Sequence, residues 1–214
     1  NKTLLEIQLE ALKTAGIKDI GIVTGYKREM LKNYNLKEFY NKLWNKTNMV
    51  SSLECASDWL KNYECIVSYS DIFYSSKAVE LLKESNHSIS ITFDPNWLEM
   101  WRDRFSDPLE DAESFKINKN GYLTEIGNNA KNVSQIEGQY MGLLKFKPNG
   151  WKKVMKIRNE LMASEADKMD MTAALQKLID SKIKIRGIPY NDIWGEVDTK
   201  KDLNISKKLF NKSK

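Results

Sequence analysis

The fold class of this chain follows from residues 64–74, which are Glu64-Cys65-Ile66-Val67-Ser68-Tyr69-Ser70-Asp71-Ile72-Phe73-Tyr74. Residues 65–67 are apolar and include β-branched side chains, which favours a buried strand of a parallel sheet. Asp71 comes just after that strand. Ligands of open α/β sheets bind beyond the carboxyl ends of the strands, so Asp71 is well placed to hold a cation against a phosphate. The alternative is that Asp71 caps a helix that begins near Ser75.

Composition and charge limit the class of protein. With 214 residues, 41% hydrophobic and 29% charged, the chain fits one globular domain over residues 1–214. There is no signal peptide and no apolar run of about 18 residues, so no membrane association is expected. Cys55 and Cys65 are interpreted as reduced core thiols of a cytoplasmic protein. The net charge of +5 is spread along the chain, and the basic cluster at 207–214 is interpreted as a solvated helix end, so no nucleic-acid partner is expected.

Hydrophobic periodicity predicts an α/β fold with a doubly wound, mostly parallel, Rossmann-like sheet and an inserted β-hairpin region. The hairpin is expected around an Asn-Gly turn at residues 120–121. The predicted helices cover residues 4–12, 26–33, 49–60, 75–85, 151–162, 171–178 and a last helix after Thr199, and the predicted strands cover 17–25, 39–40, 65–67, 87–94, 138–146 and 183–188.

The segment 95–113 interrupts this alternation and carries two tryptophans and two arginines. Trp97 and Trp101 are four residues apart and share a face if the segment is helical. One interpretation is a packing lid, and the other is an aromatic and cationic wall, including Arg104, over a phosphate-bearing substrate. His87 is the one histidine of the chain and is expected at the surface, so the commonest general base is effectively absent.

Eight segments along nearly the whole chain together form a recognisable pattern: residues 5–12 with 16–17, 22–26, 47–53, 68–72, 97–113, 137–143, 170–172 and 194–199 with 202–203. In this order they resemble the sugar-1-phosphate nucleotidyltransferase superfamily and, within it, the phosphocholine cytidylyltransferase-like branch. In that family a glycine-rich loop with an arginine and a lysine precedes the first matching helix, whereas this sequence begins after that point, so we interpret it as an incomplete chain.

The resemblance implies two catalytic acids. Asp71 and Asp198 would be the ligands of a Mg²⁺ ion, both after strands at one edge of the sheet. For Asp198 the alternative is a plain helix cap before Thr199. Asn48, Ser51 and Ser52 would, with Asp71, contact the nucleotide and read the edge of cytosine or uracil, although the two serines are equally well explained as helix caps.

The resemblance also implies an acceptor pocket. Its residues would be the acids Glu137, Asp170 and Glu196 together with tryptophans, which could enclose an ammonium or trimethylammonium group. A sugar phosphate would instead place its hydroxyl groups on the same acids. The alternative for the tryptophans is plain core packing. The tryptophans in question are Trp97, Trp101, Trp151 and Trp194.

The implied reaction is transfer of CMP from CTP to a phosphocholine-like or aminoalkylphosphonate acceptor, with release of pyrophosphate. The attacking phosphate is already an anion near neutral pH, so no general base is needed. Two alternatives stay open: a sugar-1-phosphate nucleotidyltransferase that uses UTP or another triphosphate, and a non-catalytic nucleotide-binding remnant. The sequence leaves a homodimer open.

Overall fold

A computed structural model describes residues 2–212, without the side chains of residues 208–212, so most of the basic cluster at 207–214 lies outside the described side chains. The strands are β1 (Gly21–Thr24), β2 (Lys37–Tyr40), β3 (Cys65–Ser68), β4 (Ile72–Tyr74), β5 (Ile89–Asp94), β6 (Glu113–Ile117), β7 (Leu123–Asn129), β8 (Gln139–Phe146), β9 (Arg186–Pro189) and β10 (Trp194–Glu196). The helices are α1 (Leu4–Thr14), α2 (Met49–Glu54), α3 (Ser57–Asn62), α4 (Ser76–Glu84), α5 (Trp97–Arg104), α6 (Pro148–Asn159), α7 (Ala163–Lys168), α8 (Met171–Asp180) and α9 (Lys200–Lys212).

The main sheet has four strands in the order β3-β8-β5-β9. Strand β8 is antiparallel to β3 and β5, and β9 is parallel to β5, so three of the four strands run in one direction. The predicted α/β class with a mostly parallel sheet is therefore confirmed. Two smaller pairs accompany this sheet: β1 with β2 in parallel, and β4 with β10 antiparallel.

The predicted hairpin is formed by β6 and β7, which are antiparallel. Its turn ends at Gly121, whose positive φ of 74° suits glycine, and the Gly121 N–H donates to Asn118 O at 2.8 Å. The hairpin is attached to the main sheet, because Leu123 N–H donates to Ile185 O at 3.0 Å.

Local signals account for where several helices begin and end. Helix α1 starts in a capping box in which Thr3 Oγ1 accepts from Glu6 N–H and Glu6 Oε2 accepts from Thr3 N–H. It stops before Gly16, which has a φ of +81°. The buried faces of α1, α4, α6 and α8 contribute to one core cluster with the strands. None of the described helices is long and apolar enough to cross a membrane.

Three local predictions were wrong. The helix expected over 49–60 is divided into α2 and α3, because the Cys55 and Ala56 N–H groups bond to carbonyls three residues back rather than four. The loop expected before Met171 contains α7. Cys55 is exposed rather than part of the core, and Cys65 is half-buried; both are free thiols.

Candidate functional site

Strands β4 and β10 bring distant acids together at the edge of the sheet where β3 ends. In their antiparallel register Glu196 lies opposite Ile72, and the Val197 N–H donates to Asp71 O at 2.9 Å. The close approach of these strands requires a glycine between Trp194 and Glu196, since a Cβ at Gly195 would lie 2.5 Å from the Phe73 ring. The register therefore places residues 196–198 alongside Asp71.

The acids form a compact group. One carboxylate oxygen each from Asp71, Glu196 and Asp198 lies within 4.8 Å of the others, and no second group of this kind occurs in the part of the chain that the structure describes. Asp71 Oδ1 is buried and has no hydrogen-bond partner among the atoms that the structure describes. An unsatisfied buried carboxylate oxygen is costly unless a cation occupies the space in front of it. The donor set is all oxygen, which suits a hard divalent cation.

Burial and mutual repulsion perturb these acids. Burial raises the pKa of Asp71, and the negative charge of Asp198 adds to that shift. Burial also raises the pKa of Glu196 to about 7, although the Arg104 guanidinium opposes the change. Perturbed carboxylates in one cluster are typical of functional sites.

Arg104 on α5 is the cation of this cluster. Its Nη1 donates to Glu196 Oε2 at 2.9 Å, its Nη2 to Asp198 Oδ2 at 2.7 Å and its Nε to Asp202 Oδ1 at 3.0 Å. Burial alone would lower the pKa of Arg104, but the acids more than offset this and raise it. The side chain is only 2% exposed. The guanidinium is thus already bonded to three carboxylates, and binding of a substrate phosphate by Arg104 stays a prediction.

Neither predicted metal ligand is a helix cap. Helix α4 is capped by Ser75, whose Oγ accepts from Lys77 N–H at 3.3 Å. Helix α9 is capped as predicted by Thr199, whose Oγ1 accepts from Asp202 N–H at 3.2 Å while Asp202 Oδ2 accepts from Thr199 N–H at 2.9 Å. The local alternatives for Asp71 and Asp198 are thereby removed.

The tryptophans lie in the core and not on an open wall. Trp97, Trp101 and Trp194 are at most 3% exposed. The ring of Trp101 lies 6.0 Å from that of Trp97 and 6.1 Å from that of Trp194. Trp151 is also fully buried and packs against Phe146. The ring N–H groups bond within the chain, from Trp97 to Ile136 O, from Trp101 to Asp111 Oδ2 and from Trp194 to Asp94 Oδ2. An open aromatic cage built from these rings is therefore not present.

The residues predicted to contact the base are engaged in local structure. Asn48 caps α2, with Oδ1 accepting from Met49 N–H at 2.8 Å, and its Nδ2 donates to Lys168 O at 3.1 Å. Ser51 Oγ accepts from Arg158 at 2.9 Å, and Ser52 Oγ accepts from the Asn41 amide at 3.0 Å. Neither serine is a helix cap, because both lie inside α2 and Asn48 is its N-cap; their hydroxyl groups instead bond to Arg158 and Asn41.

The two remaining predicted acids also have structural partners. Glu137 is exposed, and its Oε2 accepts from Ile117 N–H at 2.8 Å beside the hairpin. Asp170 caps α8 by accepting from Ala173 N–H at 2.8 Å. Burial raises the pKa of Tyr69, and the charges of Asp170 and Asp71 add to this effect. Glu137 and Asp170 are not part of the carboxylate cluster.

Two acids that support the site were missed. Asp202 anchors Arg104, and the Thr-x-x-Asp spacing of residues 199–202 was a signal for its capping role. Asp94 ends β5 and accepts the Trp194 ring N–H at 2.8 Å, which ties β10 to the main sheet. The reasoning about strand ends that singled out Asp71 applies equally to Asp94.

Comparison with known proteins places this geometry in a family. No protein-family model matches the chain. The chain is 34% identical over 221 residues to the CTP:phosphoglutamine cytidylyltransferase of Campylobacter jejuni subsp. jejuni serotype O:2, covering 96% of this chain and 87% of that protein.

Solved structures of nucleotidyltransferases share the fold at low identity. The inositol-1-phosphate CTP transferase from T. maritima superposes with a TM-score of 0.73 at 16% identity, over 97% of this chain and 82% of that one. The CTP:phosphocholine cytidylyltransferase from Streptococcus pneumoniae gives a TM-score of 0.68 at 16% identity, over 98% and 86%. From the sequence match and this shared fold it follows that the chain belongs to the cytidylyltransferase-like nucleotidyltransferases.

Proposed function

We propose that this protein transfers CMP from CTP to a small phosphorylated acceptor, releases pyrophosphate and requires Mg²⁺. The observation that carries the proposal is the convergence of the Asp71, Glu196 and Asp198 carboxylates within 4.8 Å at the carboxyl edge of the sheet. Phosphates bind at that edge in open α/β folds. Family membership supports the reaction type.

The residues present fit a magnesium ion. Asp71 and Asp198 would hold it, and the buried, unpartnered Asp71 Oδ1 gives it an oxygen ligand that nothing else satisfies in the described part of the chain. When bound, Mg²⁺ supplies positive charge that reduces the repulsion between two phosphate anions and stabilises the leaving pyrophosphate. Glu196 lies beside both acids and, like Asp198, accepts from Arg104; we assign it a supporting role because the family resemblance implies Asp71 and Asp198 as the ligands.

The protein's own part in the reaction is to position charge. The attacking phosphate is anionic near neutral pH, so no residue has to remove a proton. This agrees with the lack of a histidine in the cluster, because His87 bonds instead to Ser85 and Tyr122. The pairing of β4 with β10 holds the acids in place before the reactants arrive, and such preorganisation supplies much of the rate in phosphoryl transfer.

Phosphoglutamine is the acceptor we place first. The relative that is 34% identical acts on phosphoglutamine by its name, whereas the phosphocholine enzyme is 16% identical. The tryptophans that favoured a trimethylammonium or aminoalkylphosphonate acceptor are buried, so that argument no longer supports phosphocholine.

The test is a pyrophosphate-release assay with CTP, UTP and dTTP against phosphoglutamine, phosphocholine, 2-aminoethylphosphonate and glucose 1-phosphate. It is run on residues 1–214 and on the full product of the open reading frame that encodes them. We expect release that needs CTP, phosphoglutamine and Mg²⁺, and a loss of at least about a hundredfold when EDTA removes the metal.

Other outcomes select the alternatives. Release with UTP or dTTP and glucose 1-phosphate, but not with CTP, would show a sugar-1-phosphate nucleotidyltransferase. CTP binding by calorimetry without turnover on any acceptor would show a nucleotide-binding remnant. Equal turnover with and without EDTA would overturn the magnesium requirement.

A further inference from the structure

We infer that Arg104 is a positioning residue, which fixes Asp198 and Glu196 beside Asp71 so that these carboxylates are ready to hold a divalent cation. The inference rests on the proposed function for the identity of the cation. It assigns to a buried arginine a role in metal binding even though arginine cannot itself be a metal ligand.

The guanidinium makes a different bond with each of its three nitrogens. Nη1 and Nη2 donate to Glu196 and Asp198, the two acids of the cluster that lie at the end of β10 and just after it. Nε donates to a third acid, Asp202 at the start of α9. The Arg104 side chain therefore connects α5 to the end of β10 and to α9. The pairing of β4 with β10 does not by itself connect these three elements.

Asp202 is itself held firmly, so it can orient Arg104. Its side chain is 5% exposed, and its Oδ2 accepts from the Thr199 N–H at 2.9 Å and the Thr199 hydroxyl at 2.8 Å. Burial alone would raise the pKa of Asp202, but the hydrogen bonds from Thr199 and Arg104 outweigh it and lower the pKa. Asp202 is thus an anionic anchor behind the guanidinium.

Packing restricts the arginine further. Its Cζ lies 4.8 Å from the centroid of the Trp101 ring and 5.0 Å from that of Phe105. Its backbone carbonyl accepts from Lys201 Nζ at 2.6 Å. The planar guanidinium, packed in this way, has little conformational entropy to lose when it bonds to the acids. A lysine ammonium at the same position would reach one acid as a point charge.

The test compares Arg104→Lys with the parent, because lysine keeps the charge and removes the fork. Arg102→Lys is the matched control, since Arg102 is exposed two residues earlier on the same helix. Binding of Mn²⁺ alone is measured from the loss of its free electron paramagnetic resonance signal, without substrates and well below the unfolding midpoint of each variant. The part of this binding that Asp71→Asn abolishes defines the site.

We expect the Mn²⁺ dissociation constant to rise about tenfold or more in Arg104→Lys and to stay unchanged in Arg102→Lys, as for other residues that orient metal ligands. A merely structural role would lower the unfolding midpoint and leave the dissociation constant within about twofold of the parent, which would overturn the inference. If the parent shows no Mn²⁺ binding that depends on Asp71, the metal site of the proposed function fails, and this inference with it.

A second variant tests the inference if Arg104→Lys does not fold. Asp202→Asn removes the negative charge that anchors Arg104. It leaves the cluster of Asp71, Glu196 and Asp198 unchanged. We expect it to weaken Mn²⁺ binding severalfold, and affinity equal to that of the parent would contradict the inference.

Discussion

Replacing Asp71 with Asn is expected to lower turnover of CTP on the order of 10³-fold, since one ligand that holds positive charge against the phosphates is lost. The fold should persist. Burial already disfavours the charged form of Asp71, and Asp198 repels it, so a neutral amide relieves a local cost. We expect the free energy of unfolding to stay within about 1 kcal/mol of the parent.

Steady-state pyrophosphate release and urea unfolding check the two halves of this prediction. Asp19→Asn is the control, because Asp19 is exposed and far along the chain from the acids of the cluster. A variant with the parent's turnover would show that Asp71 has no role in the reaction. A variant that loses turnover only because it has unfolded would show a structural role instead.

Replacing Trp101 with Ala is expected to lower the free energy of unfolding by about 3–5 kcal/mol, which is the usual cost of removing a buried tryptophan. The ring is fully buried, contacts Trp97 and Trp194, and its N–H bonds to Asp111. Trp44→Ala should cost less than about 1 kcal/mol, because Trp44 is 41% exposed.

Urea denaturation measures both changes, and the conservative variant Trp101→Phe separates packing from ligand binding. We expect Trp101→Phe to keep the KM for the acceptor close to that of the parent. A large rise in the acceptor KM of Trp101→Phe, together with unchanged stability of Trp101→Ala, would instead support the hypothesis that Trp101 forms part of an aromatic wall over the substrate.

Local patterns were sufficient for most of the fold. Alternating helix and strand patterns, the Asn-Gly hairpin turn and the strand that ends before Asp71 depend on neighbouring residues, and such patterns survive in the folded chain. The division between α2 and α3 was not predictable in this way, because no proline or glycine marks it between Met49 and Asn62.

The site was predictable only in part. Asp71 and Asp198 come together because β4 and β10 pair, and the resemblance to nucleotidyltransferases, not periodicity, indicated this. The partners of Arg104 and the burial of the tryptophans depend on how the 95–113 segment packs against α9 and β10. Such long-range contacts leave no periodic signal in the sequence. Residues 95–113 were therefore equally consistent with a packing lid and with an aromatic and cationic wall over the substrate.

The central claim is that Asp71 and Asp198 hold a divalent cation next to the nucleotide. Crystals grown with CTP and Mn²⁺, measured for anomalous scattering of manganese, test it most directly. We expect an anomalous peak in contact with both carboxylates and with a phosphate oxygen of CTP. Bound CTP with no peak at these residues, or with a manganese peak only elsewhere, would contradict it.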